Sequence, residues 1–435
     1  MDRRTLLAAT GMAAAATLAG CSTPLEQSQP TDSLSLPNGT PSSTTDQVAA
    51  LVNGNAGFAL ELHQRLADGG GNTFISPYSI SMALAMTYAG AEGPTETAMA
   101  ETLGFSLDEE THPTFDELQQ QLDSRATTEP IDPDRRGTVN AFQLSVANAL
   151  WGESDNSFAD EYIELINTYY DGGFNEVDFD QRPDQVRQRI NEWIADNTNG
   201  RIQNMLRSGT LGPATQLVLA SAIYFNAAWR LKFDPEDTMR GPFTTLDGRE
   251  TSVMMMQQQL ETQYAAFSNV RAIELPYVGN KVSMVCIVPA AGEFERVESG
   301  LTASNLFGIF DALVRRSGQL RMPKFEYKSE IPLSEPLKTL GMESAFTPAA
   351  DFSGMVDSGT GPYIGKAKHT SFISVDEKGT EASATTTVLT LESGGSDPFE
   401  LSLDRPFLYC IRDRPTDSIL FVGRVTNARA AQSLN

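Results

Sequence analysis

Groups that do chemistry are scarce in this sequence. It holds three histidines, His63, His112 and His369, and no two stand at metal-ligand spacing. There is no G-x-S-x-G elbow and no glycine pattern of a dinucleotide or Walker site; Gly69-Gly70-Gly71 follows a helical stretch and reads as a loop. These absences argue against an enzyme and against any cofactor or metal. A Ser–His–Asp set assembled by the fold from distant residues stays open at this level. Cysteine is as scarce: Cys21, Cys286 and Cys410. The last two lie in apolar runs, 284–288 and 407–411, and read as two buried thiols, which behave as small hydrophobes, rather than as one disulfide. Positive charge is the third deficit, with 32 Lys plus Arg against 56 Asp plus Glu and a net charge of −24. Such a surface repels nucleic acid and anionic lipid, which excludes polynucleotide partners. The negative charge is spread along the chain, with no single acidic tail. It suits solubility in high salt, as in a halophilic and haloarchaeal source, and it also suits an ordinary acidic secreted protein.

The apolar run 6–19 is too short to span a bilayer comfortably. It follows Arg3-Arg4, the mark of a twin-arginine export signal. Leu18-Ala19-Gly20-Cys21 resembles a lipobox, after which Cys21 becomes the lipidated first residue; the alternative is a plain cleaved signal with an incidental cysteine. Residues 22–45 are rich in Ser, Thr, Pro and Gln and read as a flexible tether carrying the sequon Asn38-Gly39-Thr40. The chain therefore divides into a signal, 1–21, a linker, 22–45, and one folded domain, 46–435. It is expected outside the cell as a monomer, held to the membrane through Cys21.

Within the domain, Val48, Leu51, Phe58, Leu62 and Leu66 fall on helical spacing, with Asp46 as N-cap. Ser76-Pro77 opens a second helix through Tyr88, and Gly93-Pro94-Thr95 breaks it and begins another. Residues 124–138 are polar, with several Pro and Arg, and read as an exposed loop. Val186, Ile190, Trp193 and Ile194 share one helix face, closed by Asn199-Gly200. From Gln216 onward the pattern turns to strands, at 217–225, 281–288, 319–327, 369–375, 406–411 and 419–425; a turn at 414–417 joins the last two in a hairpin. Helices mainly first and strands mainly later make an α+β class.

One segment fits neither pattern. Residues 376–399 read DEKGTEASATTTVLTLESGGSDPF. The stretch from Thr380 to Thr387 is small and, Glu381 apart, uncharged; Val388-Leu389-Thr390-Leu391 follows, and Glu392 to Pro398 breaks any regularity. Thr and Val favour strands, so this long connection has the composition of a strand. Long connections inside compact domains are functional or disordered. A strand that must slide between others needs small residues to enter and β-branched ones to stay.

Glu377-Lys378-Gly379-Thr380-Glu381-Ala382, followed by small residues, resembles the hinge of inhibitory serpins. Other family motifs recur in order: Phe74-Ile75-Ser76-Pro77-Tyr78-Ser79-Ile80, Ile223 to Trp229, Leu275-Pro276-Tyr277, Pro323-Lys324-Phe325, Leu340-Gly341-Met342, Ala350 to Gly354 and Arg405-Pro406-Phe407. The resemblance covers nearly all of residues 46–427. It implies three β-sheets, eight or nine helices and an exposed reactive loop near the C-terminus. It implies that Ser79 and His369 sit in the shutter, where the large sheet parts, and that Trp229 sits at the breach above it. It implies a suicide inhibitor of extracellular serine proteases, with a non-inhibitory carrier or chaperone as the alternative. Ser221 stands where the family usually has Asn, which leaves open how the shutter hydrogen bonds are made.

Alternation along a strand puts Thr380, Ala382, Ala384, Thr386, Val388 and Thr390 on one face and Glu381 on the other, so no charge enters the core face. Family spacing from Glu377 places the reactive bond at Ser393-Gly394, with Leu391-Glu392 and Glu392-Ser393 as alternatives. The apolar Val388 to Leu391 favours a chymotrypsin-, subtilisin- or elastase-like target.

Overall fold

The computed structural model describes residues 34–42, 45–106, 110–132, 135–171, 173–380 and 398–432, without the side chains of Asp68 and of residues 127–141. Cys21 lies outside the described residues, as do Ala382, Ala384, Leu391, Glu392, Ser393 and Gly394 of the loop. Nine α-helices stand among the described residues: α1 (Asp46–Leu66), α2 (Pro77–Tyr88), α3 (Gly93–Leu103), α4 (Thr111–Asp123), α5 (Asp160–Tyr169), α6 (Pro183–Asn197), α7 (Phe294–Gly300), α8 (Ala303–Ala312) and α9 (Ser334–Leu337). The first strands are β1 (Thr73–Ile75), β2 (Thr127–Asp132), β3 (Arg135–Glu153), β4 (Phe174–Val177), β5 (Leu217–Ala228), β6 (Met239–Thr244), β7 (Glu250–Ala266) and β8 (Val270–Pro276). The rest are β9 (Val282–Pro289), β10 (Val314–Pro323), β11 (Phe325–Pro332), β12 (Lys366–Val375), β13 (Gly379–Thr380), β14 (Phe399–Ser402), β15 (Phe407–Asp413) and β16 (Ile419–Val425).

The strands make three sheets in an α+β fold. The large sheet runs β11-β12-β13-β5-β3-β2, with β4 beside β3. Long β7 is shared between the other two: it joins β6, β10 and β14 into a small sheet, and its end, residues 263–266, pairs with β8 and leads on to β9, β15, β16 and β1. Strand β5 is buried on both faces, as a central strand must be. Leu217, Leu219, Ile223, Phe225 and Ala227 face the main core. Val218, Ala220 and Ala222 face a second cluster with Val186, Ile190 and Ile194 of α6.

Local signals explain the helix starts. Ser76 accepts a hydrogen bond from the Ser79 backbone N–H at 3.1 Å with Pro77 in the first turn, and every residue of α2 is buried, as a helix apolar all round requires. The cap of α1 is Thr45, which accepts from the Val48 N–H at 3.3 Å, and not Asp46, which is the first helical residue. Cys286 lies opposite Tyr409, and Cys410 opposite Val285. Neighbours along a strand point to opposite faces, so the two thiols are held apart and stay free.

Three further expectations need correction. Residues 124–138 are not a loop: most of them form the β2–β3 hairpin, a polar ribbon at the sheet edge. An edge strand tolerates charge and Pro because one side of its ladder needs no partner. The stretch 319–327 is two strands split at Lys324, β10 in the small sheet and β11 in the large one. Part of the expected tether, residues 34–42, is docked on the body. Leu34 and Leu36 pack against the core, Gly39 N–H donates to the Ser304 carbonyl at 2.9 Å, and Ser42 N–H donates to Asp417 Oδ2 at 2.8 Å.

Candidate functional site: the hinge and the seam of the large sheet

Strands β5 and β12 run parallel and are hydrogen-bonded over 218–224 and 366–372. Above that seam they part, and β13 stands between them. Thr380 pairs with Val375 on one side and Ala227 on the other, and Gly379 pairs with Ala228. Thr380 is fully buried. Gly379 has φ 156°, and a Cβ there would run into the Ala227 carbonyl and Ala228 Cα, so only glycine fits.

The turn before it is held by many donors. Trp229 N–H donates to the Lys378 carbonyl and Phe233 N–H to the Glu377 carbonyl, both at 2.9 Å. The Trp229 indole N–H donates to the Asp376 carbonyl at 2.9 Å. Its ring lies on Tyr277, centroids 4.6 Å apart and 8° from parallel, and the Tyr277 hydroxyl meets Thr380 Oγ1 at 2.9 Å. Glu377 pairs with Lys324 Nζ at 2.8 Å and accepts from Thr238 Oγ1 at 2.8 Å. Burial opposes its ionisation, and these hydrogen bonds outweigh it, so its carboxyl lies below the usual range.

Below the hinge, three strands bring Asn148, Ser221 and His369 into one row, since Ser221 is the register partner of both others. The Ser76 backbone N–H donates to His369 Nε2 at 3.1 Å, so that nitrogen carries no proton. The proton of the neutral ring is therefore on Nδ1 and is donated to Ser221 Oγ at 3.1 Å. Ser221 then donates to Ser79 Oγ at 2.9 Å, and Ser79 to Asn148 Oδ1 at 2.8 Å. The Asn148 amide returns a bond to the Ser79 carbonyl at 2.8 Å. The amide missing at Ser221 is thus supplied by Asn148, one strand away. Burial pushes His369 down to about 3, keeping it neutral.

His369 is wholly buried with both nitrogens engaged. His63 is buried against Glu298 at 3.0 Å, and His112 against the Tyr170 hydroxyl at 2.7 Å. None of the three faces solvent as a base. The structure brings together Ser79 and His369 in one network and Trp229, Glu377, Gly379 and Thr380 in another. Asn148 and Tyr277 escaped the sequence reading as site residues. Asn148 lies on β3, whose alternating Phe142, Leu144, Val146 and Leu150 are a strand signal left unread, and Tyr277 stood in a motif with no stated role.

The sequence model described as Serpin (serine protease inhibitor) matches residues 53–428. An uncharacterized serpin-like protein of Thermococcus kodakarensis is 35% identical over 427 residues, 95% of this chain and 96% of its own. The leukocyte elastase inhibitor of Sus scrofa is 33% identical, over 86% of this chain and 98% of its own. The crystal structure of the thermophilic serpin tengpin in its native state superposes with a TM-score of 0.74 at 29% identity, covering 86% of this chain and 94% of that one. With the match to the family model and a sheet parted at its top by its own hinge, the chain belongs to the serpin family.

Proposed function

We propose that this serpin is a suicide inhibitor of serine proteases. The observation that carries the reading is Thr380, buried between β5 and β12 where an inserted strand would begin. The register there extends by simple counting. Antiparallel continuation lays Ala382 beside Phe225, Ala384 beside Ile223 and Thr386 beside Ser221, and the β12 side of the same count puts Thr386 beside His369. Every second residue then faces the core side, and none of them is charged. To admit this strand, the parallel seam of β5 and β12 must open and the Ser221–His369 hydrogen bond must break.

Chemistry comes from the protease. Its serine oxygen attacks the carbonyl of the residue before the reactive bond; the C–N bond breaks, the new amine takes the proton from the protease's base, and an acyl ester remains. Cleavage frees the upstream half of the loop, which enters the sheet as a strand. The ester-linked protease is carried along and distorted before water can hydrolyse the ester. We assign the bond to Ser393-Gly394 or one of its two upstream neighbours, and the target to a chymotrypsin-, subtilisin- or elastase-like enzyme.

The test is to mix the protein with chymotrypsin, subtilisin and pancreatic elastase and look for a complex that survives SDS. Thr380→Arg should abolish that complex and leave the chain cleaved at the same bond. A guanidinium without a partner in the core costs several kcal/mol, on the order of the insertion energy itself. Glu381→Arg, on the solvent face of the incoming strand, should do much less. Equal inhibition by the parent and both variants, or no complex with any of the three proteases, would remove the reading.

A further inference from the structure

The hinge raises a question of energetics that the family likeness does not answer. Thr380 brings a hydroxyl into a fully buried place, and a buried hydroxyl without a partner is unfavourable. Its partner is the Tyr277 hydroxyl at 2.9 Å. Tyr277 is itself fully buried and is rigidly mounted. Its N–H donates to the Val282 carbonyl at 3.0 Å, and the flanking Val278 N–H donates to the Ala228 carbonyl at 2.9 Å. Its ring is sandwiched between Trp229, stacked at 4.6 Å, and the edge of Phe225 at 5.2 Å. A fixed hydroxyl from outside the large sheet thus reaches the first side chain of the hinge.

We infer that Tyr277 is a positioning residue for the hinge: its hydroxyl keeps Thr380 seated in the gap between β5 and β12, so that loop insertion starts from a rung already formed. Forming the first rung of a strand orders several residues for few hydrogen bonds, and that is the slow, unfavourable part. A hinge seated in advance leaves only propagation for the interval in which the acyl ester survives. Loss of the hydroxyl orphans Thr380 Oγ1 and favours a hinge outside the sheet. Insertion then begins later, and more inhibitor is cleaved as substrate for each protease trapped. The consequence for inhibition rests on the loop-insertion reading; the seating of the hinge does not.

The experiment is a double-mutant cycle on the intact, uncleaved protein: parent, Tyr277→Phe, Thr380→Val and both together. Each single change leaves one buried hydroxyl alone, whereas the double change leaves none. Amide hydrogen exchange of the 374–380 peptide should quicken roughly tenfold in each single variant and return toward the parent in the double. A merely structural tyrosine would give no such rescue. Unchanged exchange in Tyr277→Phe, or a double variant equal to the sum of the singles, overturns the inference. Titration against chymotrypsin, subtilisin and elastase reads the consequence. The number of inhibitor molecules consumed per trapped protease should rise severalfold in Tyr277→Phe and fall again in the double. If the parent inhibits and this ratio does not move, Tyr277 is no determinant of insertion. If the exchange cycle behaves as stated and the parent traps none of the three, the hinge is seated by Tyr277 and the inhibitor reading is what fails.

Discussion

His369 shows how one side chain ties four segments together. It lies on β12, accepts from the cap residue of α2 and donates to β5, and through Ser221 and Ser79 the chain of donors ends on β3. Each hydroxyl in it both gives and takes one proton, so the network is complete only while the imidazole is neutral. A second proton would sit on Nε2, facing the Ser76 N–H head-on. That coupling has a sign in pH. His369 is depressed to about 3 and His112 to about 4, both first by burial, against about 6.5 for an imidazole in the unfolded chain. Below about pH 6.5 the unfolded chain takes up protons that the folded one refuses, so stability is present above that pH and is lost as pH falls. The loss is about 1.4 kcal/mol per pH unit for each histidine, down to its folded value. A His369→Asn variant should therefore show a flatter dependence of melting temperature on pH than the parent from about pH 6 to about pH 4. Parallel curves for the two proteins would mean that His369 is not held neutral by the fold.

At the scale of elements, the segment 34–42 shows how a polar stretch becomes structure by fitting a surface. It crosses α8 where two glycines face each other. A Cβ on Gly308 would run into the Pro37 carbonyl, and one on Gly39 would meet the Gly308 N. Asn305 of α8 donates to Asn38 Oδ1 at 3.0 Å, and Ser42 reaches the Asp417 carboxylate. That carboxylate belongs to a buried set in which Arg412 bridges Asp417 and Glu274 and lies 4.0 Å over the Phe310 ring of α8. Gly308→Ala separates two effects. Alanine is the better helix former by about 1 kcal/mol, so an uncovered α8 would gain. If the segment is locked in place, the new methyl expels it: cleavage within 34–42 by a nonspecific protease should speed up severalfold and the melting temperature should drop. A rise in melting temperature with no new cleavage would show that the segment contributes nothing.

For the whole molecule, the proposed insertion would remake the middle of the large sheet. Seven parallel rungs close the lower seam of β5 and β12, and one antiparallel rung occupies its top. Exchanging the parallel seam for a full inserted strand adds hydrogen bonds on two sides and buries a row of small apolar groups. The net gain is on the order of 10 kcal/mol. Cleaving the loop with a protease that is not trapped should therefore raise the melting temperature by roughly 10 °C. Both forms belong in high salt for this comparison, since a net charge of −24 repels itself at low ionic strength. A cleaved form that melts no higher than the intact one would show that the loop does not enter.

Much was legible in the sequence because its causes are local. Ser76-Pro77 caps a helix wherever the chain puts it, and the near-continuous apolar run of β5 reads as a buried strand without its neighbours. Ser79 and Trp229 were marked by their motifs and His369 by the family likeness; most of the segment singled out by composition, residues 381–397, lies outside the described residues. What the tertiary structure alone decided depends on residues far apart in the chain. The β2–β3 ribbon is too polar to be recognised until an edge exists for it to extend. Lys324 divides one apparent strand because two sheets compete for its sides. Asn148 replaces the missing amide at Ser221 only because strand register sets them side by side. Thr380 is small and β-branched in the sequence, which suits a gap between strands; that it already fills one, against the hydroxyl of Tyr277, follows from pairings no local pattern contains, since they form only when distant strands meet.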